Sequence, residues 1–278
     1  MKETIIRTVS GLLYTAILVA SILSSELIFI ILFYLLSLVC LVEMQKLLRL
    51  KSYALFILQA VLFYLFSFLK FNQDATVMLL FITIFVNLFL VKDLIIVKKI
   101  PVFEKKKYII IIFYLISSTI FLTLIPTIEG VFIPKLVIGI FLLIWTNDTF
   151  AYLVGKNFGK HKLYEKISPN KTVEGFLGGL VFSCLMSYAI WYYSPLFPTT
   201  LSDFSKFNTP LIWLGMAIIL SIFGTLGDLI QSKFKRQAGV KDSGKLMPGH
   251  GGLFDRLDSI IFASPFVYAY LYILNYVS

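Results

Sequence analysis

The sequence predicts an all-α, polytopic integral membrane protein with about nine transmembrane helices. Its 278 residues are 59% hydrophobic and only 14% charged, against about 45–50% and roughly 25% in soluble domains. The apolar residues are gathered into runs long enough to cross a bilayer, each needing about 20 residues. The basic residues fall on alternate connections between those runs. Too few polar side chains exist to clothe a water-soluble fold of this size, which argues against a soluble enzyme, a disordered chain and a secreted disulfide scaffold. Cys40 and Cys184 sit inside apolar runs and read as packing residues.

In chain order the predicted spans are 10–24, 27–43, 53–69, 75–91, 108–126, 135–154, 175–193, 210–227 and 260–277. Ser24, Ser25 and Glu26 alone part the first two, and the third and fourth are close together, so the count carries an allowance of one. No cleavage pattern stands out after the first run, which therefore reads as a span and not a leader. With the N-terminus inside, 22 of the 25 basic residues fall on the inner connections; the exceptions are Lys70, Lys135 and Lys206. This is the positive-inside pattern, and it predicts a cytoplasmic N-terminus and an external C-terminus. Most of the +10 net charge is thereby assigned to anionic lipid headgroups. Nucleic acid is not an expected partner, because long apolar spans separate the basic residues and no binding motif frames them.

Residues 1–130 read as a transmembrane scaffold with few polar features, the connection at 92–107 being an interfacial one. Residues 131–278 read as a catalytic transmembrane region with cytoplasmic motif loops. No internal repeat supports a duplicated transporter fold.

Three stretches of the second half collect polar chemistry. The first is Trp145-Thr146-Asn147-Asp148-Thr149, with Asp148 inside an apolar helix, where a carboxylate is costly unless paired, hydrated or ion-bound. The second is Ser168-Pro169-Asn170-Lys171-Thr172-Val173-Glu174-Gly175. Ser168 or Asn170 suits a helix cap. Lys171 at a helix start is unfavourable unless it meets an anion such as phosphate, which helix amides also attract. Gly178 and Gly179 behind it permit close helix packing.

The third stretch is the densest. If a helix persists past Asp228, then Ser232 and Lys235 share its face, giving a carboxylate, a hydroxyl and a cation together. Lys241-Asp242, Pro248-Gly249-His250-Gly251-Gly252 and Asp255-Arg256-Leu257-Asp258 follow, and Asp255 and Asp258 share a face by i,i+3 spacing. Neighbouring carboxylates repel unless a cation or proton intervenes. Magnesium takes carboxylates together with substrate phosphates, and basic side chains hold the remaining phosphate charge. The arrangement points to phosphoryl chemistry. A four-ligand zinc set, a P-loop and a dinucleotide-binding glycine motif are absent from the sequence.

These residues resemble the phosphatidate cytidylyltransferases, or CDP-diacylglycerol synthases. Ser232-x-x-Lys235-Arg236, four residues, Lys241-Asp242, the Pro248-x-His250-Gly251-Gly252 element and Asp255-Arg256-x-Asp258 match the family signature at every fixed spacing over 27 residues. Asn147-Asp148-Thr149 and the Ser168–Gly175 stretch also look like family motifs, while the resemblance before residue 140 is mostly hydropathic.

The resemblance implies a magnesium-dependent transfer of a cytidylyl group from CTP to phosphatidate, giving CDP-diacylglycerol and pyrophosphate. It implies a bacterial inner or plasma membrane enzyme working at the cytoplasmic face, with room for an added monovalent cation and a homodimeric state. It also implies Asp228 and Asp255 as metal ligands, with Asp148 and Asp258 in supporting places. Lys171, Lys235, Arg236 and Arg256 are the expected phosphate clamps. Ser168, Glu174, Ser232, Lys241, Asp242 and His250 are expected to shape the nucleotide pocket. A cation-coupled transporter or channel is the reading from another class, but it leaves Lys171 and the Asp/Lys/Gly loop without a task. Among other phosphoryl-transferring lipid enzymes, a CDP-alcohol phosphotransferase would need an Asp-Gly-x-x-Ala-Arg motif that this sequence lacks.

Overall fold

The computed structural model describes residues 2–194 and 208–277; Lys206 lies outside them. The helices are α1 Lys2–Ser24, α2 Glu26–Leu47, α3 Ala54–Phe68, α4 Gln73–Ile96, α5 Lys105–Thr127, α6 Pro134–Phe158, α7 Val173–Tyr193, α8 Pro210–Ala238 and α9 Phe254–Val277. Among the described residues eight are long and apolar enough to cross a membrane, and α3 is shorter. Side chains cap several of the starts: Ser25 accepts from the Ile28 amide, Asn72 from Asp74 and Ala75, and Thr209 from Ile212. α8 stops at Gly239, whose φ of 77° is the left-handed C-cap conformation.

Although short, α3 still runs from one end of the bundle to the other. At its start Ser52 N–H donates to Gln45 at the end of α2 (2.9 Å). Past its finish Lys70 pairs with Glu26 at the start of α2 (2.8 Å). α3 thus retraces the whole of α2, its last residues Phe63–Phe68 wound as a π-helix. Among the described residues this makes nine legs, with the start of α1 and the finish of α9 at opposite ends. Ser10 near the N-terminus lies against His250, whereas Asn275 near the C-terminus donates to the Ile128 carbonyl (3.5 Å).

α5 and α9 are mostly buried and form the centre, where Tyr114 of α5 meets Phe234, Phe254 and Phe262 at centroid distances of 5.9–6.2 Å. α1 and α7 are largely exposed and carry apolar side chains outward, as lipid-facing helices do. α6 and α7 approach closely, as the glycine pair predicts. A β-carbon on Gly179 would fall 2.7 Å from the Asn147 carbonyl, and one on Gly178 would fall 2.6 Å from Val154.

Two boundaries differ from expectation in ways that matter for the site. α8 runs on to Ala238 and does not end at 227, so the whole Asp228–Lys235 stretch is helical. Ser168 and Asn170 do not cap α7. They lie in strand β2 Ser168–Thr172, which pairs antiparallel with β1 Lys162–Tyr164, and Thr172 is the cap, accepting from the Gly175 amide (3.1 Å). The connection at 92–107 is pinned to α8. Buried Lys233 donates to the carbonyls of Asp93, Leu94 and Val97, closing the C-terminus of α4, while Lys106 pairs with Asp93 (2.6 Å).

Candidate active site

The helical continuation of α8 sets the first group. Ser232 lies one turn beyond Asp228 and its hydroxyl donates to Asp228 Oδ1 (3.1 Å). The other oxygen, Oδ2, meets Lys171 Nζ from β2 at 2.5 Å. Burial alone would lower the Lys171 ammonium, but the Asp228 carboxylate, with Asp148 and Asp258 further off, raises it above its ordinary value. The lysine that looks misplaced at a helix start is thus the counter-ion of the α8 carboxylate, two residues before α7 begins.

The start of α9 sets the second group. Asp255 accepts from four donors, two on each oxygen. Oδ1 takes Gln231 Nε2 (3.1 Å) and Lys235 Nζ (2.7 Å), and Oδ2 takes the backbone N–H of Ser243 (2.9 Å) and Gly252 (3.0 Å). These four bonds fix its plane, and a metal ion on Asp255 would take the place of one of the donors on Oδ1, the Lys235 ammonium or the Gln231 amide. Asp258, one turn on, is buried, and its Oδ1 accepts from the Ser259 backbone (2.7 Å).

These groups share a cavity of about 640 Å³. Asp148, Lys171, Asp228, Asp255, Arg256 and Asp258 line it, together with Ser168 and His250. Ser232 and Lys235 stand behind the carboxylates and hold them. Arg256 also binds the His250 carbonyl (3.1 Å).

A second cavity, of about 520 Å³, adjoins the first and shares Met247, His250 and Arg256 with it. Its wall is basic, with Arg7, Lys241, Lys245 and Arg256 against the one carboxylate of Asp242. The Pro-Gly-His-Gly-Gly segment forms the partition. Gly249 and Gly251 take φ of 75° and 88°, a conformation that side chains disfavour, and the turn closes through Met247 N–H to the Gly251 carbonyl (3.0 Å). Burial lowers the His250 imidazole from its ordinary value, and Arg256 and Arg7 lower it further. Its Nδ1 lies 2.9 Å from Ser10 Oγ of α1.

Two expected site residues stand apart from both cavities. Arg236 is spent on the backbone carbonyls of Ile167 and Val240 (3.3 Å each). Glu174 binds the His161 ring (2.6 Å) and the amides of Lys160 and His161, closing the turn before β1. Lys241 and Asp242 line only the second cavity.

Sequence reasoning missed Arg7 and Tyr14, which α1 brings to these cavities, and Ser10, which it sets against His250. It also missed Glu43, a lone carboxylate in the apolar run Leu41-Val42-Glu43-Met44. The cost of an ionisable group at membrane depth was the signal that could have found it.

The oxygen-rich donor set suits a hard cation. Among the described residues no three His, Cys, Asp or Glu side chains are grouped as a metal cluster. Magnesium does not require one, since it commonly takes one or two carboxylates plus substrate phosphates and water. Asp228 and Asp255 each face the cavity already met by an ammonium, from Lys171 and Lys235. That is the electrostatic setting a cation would share.

The sequence profile of the cytidylyltransferase family matches residues 5–274, nearly the whole chain. The chain belongs to that family. Among its relatives, the phosphatidate cytidylyltransferase of Staphylococcus aureus (strain COL) is 52% identical over 126 residues, 45% of this chain and 44% of the relative. The protein of the same name from Staphylococcus haemolyticus (strain JCSC1435) is 51% identical over 127 residues, again 45% and 44% of the two chains. The aligned part therefore spans less than half the length of these relatives.

Proposed function

We propose that this member of the cytidylyltransferase family transfers the cytidylyl group of CTP to phosphatidate, releasing pyrophosphate and forming CDP-diacylglycerol. The observation that carries the reading is the shared cavity, where Asp148, Asp228, Asp255 and Asp258 face Lys171 and Arg256. Intramembrane carboxylates interleaved with cations suit a substrate made of phosphates. The named relatives and the motif spacing agree with it.

In this reading a phosphate oxygen of the lipid attacks the α-phosphorus of CTP. A new P–O bond forms there as the bond to the β-phosphate oxygen breaks, and its electron pair leaves with pyrophosphate. The nucleophile is already anionic, so no side-chain base is needed. The residues have three tasks: to align the two phosphates, neutralise them and stabilise the charge gathering on the leaving group. Lys171 and Arg256 hold phosphate oxygens in the first cavity. The basic wall of the second, with Arg7, Lys241 and Lys245, receives the pyrophosphate end. Lys235 and Ser232 keep Asp255 and Asp228 in place. Asp228 and Asp255 would hold magnesium, which supplies charge neutralisation and polarisation of the phosphoryl oxygens when bound.

The positive-inside pattern supports a cytoplasmic position for the motif end, where CTP is dissolved and the lipid headgroup lies at the interface. The test is to incubate purified protein in detergent with labelled CTP, phosphatidate and Mg²⁺. CDP-diacylglycerol and pyrophosphate in equal amounts are expected. A folded sample that yields neither with any divalent ion overturns the reading.

A further inference from the structure

Glu43 belongs to α2, in the half of the chain that reads as scaffold, yet its carboxylate reaches the motif loop. It is 5% exposed. Oε2 accepts from the Ser243 hydroxyl (2.6 Å) and the Phe254 amide (2.9 Å), and Oε1 accepts from the Leu253 amide (3.1 Å). None of the ion pairs among the described residues involves it. Its partners are a hydroxyl and the amides that open α9, where the helix dipole favours negative charge.

The glycines of the loop fit this contact. A β-carbon on Gly244 would fall 2.7 Å from the Glu43 carboxyl carbon, and one on Gly252 would fall 2.5 Å from Oε2. Both sides of the loop close on one carboxylate, at Ser243-Gly244 and at Gly252-Leu253. Those same two sides donate the backbone N–H groups of Ser243 and Gly252 to Asp255 Oδ2. Glu43 and Asp255 therefore hold the loop from opposite directions, one through side chain and helix-start amides, the other through backbone amides.

We infer that Glu43 is a positioning residue for the transfer: by tying Ser243 to the first amides of α9, it fixes the two N–H groups that orient the Asp255 carboxylate. The inference rests on the function proposed above, because Asp255 is placed there in the reacting site. Glu43 touches neither cavity, so it acts only through the loop. Outer residues that orient ligand-bearing side chains typically matter by roughly 10- to 100-fold when removed.

The test compares wild type, Glu43→Gln and Ser243→Ala in detergent, measuring CDP-lipid formation against Mg²⁺ concentration and hydrogen exchange along the chain. Glu43→Gln is expected to lower kcat by roughly 10- to 100-fold and raise the half-saturating Mg²⁺ concentration several-fold. A smaller folded fraction would lower the rate without moving that concentration. Faster exchange is expected in peptides covering 243–254, with α5 and the remainder of α9 unchanged. Ser243→Ala removes one of the three bonds and is expected to show the same changes in smaller measure, which keeps the test open should Glu43→Gln fail to fold. Wild-type kcat, Mg²⁺ dependence and exchange in either folded variant overturn the inference. A wild type that forms no CDP-lipid overturns the proposed function instead, and exchange over 243–254 then still decides whether Glu43 holds the loop.

Discussion

Lys233 and Lys235 stand two residues apart on α8, and they serve different regions. Lys233 turns toward the first half of the chain and is closed off there by the carbonyls of Asp93, Leu94 and Val97. Lys235 turns toward α9 and holds Asp255 at the wall of the 640 Å³ cavity. The contrast extends to the halves they face. In the first half some buried polar groups pair with one another: Gln59 Nε2 donates to Ser37 (2.9 Å), and the Ser67 and Thr123 hydroxyls bond at 2.8 Å. In the second half, carboxylates and cations open onto space for a ligand. A polar group at membrane depth is costly either way. The pairs just named are met within the protein, whereas on the proposed function the second region leaves part of the work to a substrate. Glu43 apart, the first region should therefore respond to substitution in stability, and the second in rate.

The strongest test of that division falls on the carboxylates. Asp228→Asn and Asp255→Asn keep the shape and remove the charge. Each is expected to lower the rate of CDP-lipid formation by about 10²–10³-fold, the scale of losing a preorganised electrostatic group. Thermal unfolding in detergent should move little for Asp228→Asn. Wild-type rates in both variants would remove these residues from the reacting site. Lys171→Met comes next, with an expected loss of about 10²-fold and an unchanged fold by circular dichroism. This variant leaves Asp228 without its ion pair, so a rise in the Mg²⁺ requirement should not accompany it. If Lys171→Met instead unfolds the protein at full specific rate, Lys171 belongs to the closed class.

Much of this site was legible in the sequence because its spacing is helical. Asp228, Ser232 and Lys235 fall on one face of α8, and Asp255 and Asp258 on one face of α9, as periodicity requires. The span count was legible for the same reason that hydropathy works at all: backbone groups in lipid must be satisfied within helices. Spacing is silent about contacts between distant segments. It could not show that Lys171 meets Asp228 across 56 intervening positions, that Arg236 turns to backbone carbonyls, or that α1 supplies Ser10 to the His250 loop. The cap of α7 was misplaced because Ser168, Asn170 and Thr172 are all good cap residues, and only the pairing of β2 with β1 selects Thr172.

On the closed side, Lys233→Met should separate stability from rate. The thioether fills similar volume but leaves three carbonyls at the end of α4 without their donor. Unsatisfied buried acceptors cost about 1–3 kcal/mol each, less where relaxation restores some bonding, so a loss of about 2 kcal/mol is expected. A denaturation midpoint measured in detergent checks it. The rate per folded molecule should stay near wild type, and a large fall in that rate with unchanged stability would move Lys233 into the open class.

The smallest effect is expected at the rim. Glu174 and His161 form a close pair, but His161 is exposed and Glu174 lines neither cavity. Exposed ion pairs contribute about 0–1 kcal/mol, so His161→Ala should change both midpoint and rate by little. Glu174→Gln goes further, because Glu174 also accepts the amides of Lys160 and His161 that lead into β1. It should loosen the hairpin that carries Lys171, detectable as faster hydrogen exchange over 160–172, while the rate falls by no more than about fivefold, the factor that about 1 kcal/mol corresponds to. A loss as large as that of Lys171→Met would mean that the hairpin's position, and not only the lysine's charge, is part of what the open region requires.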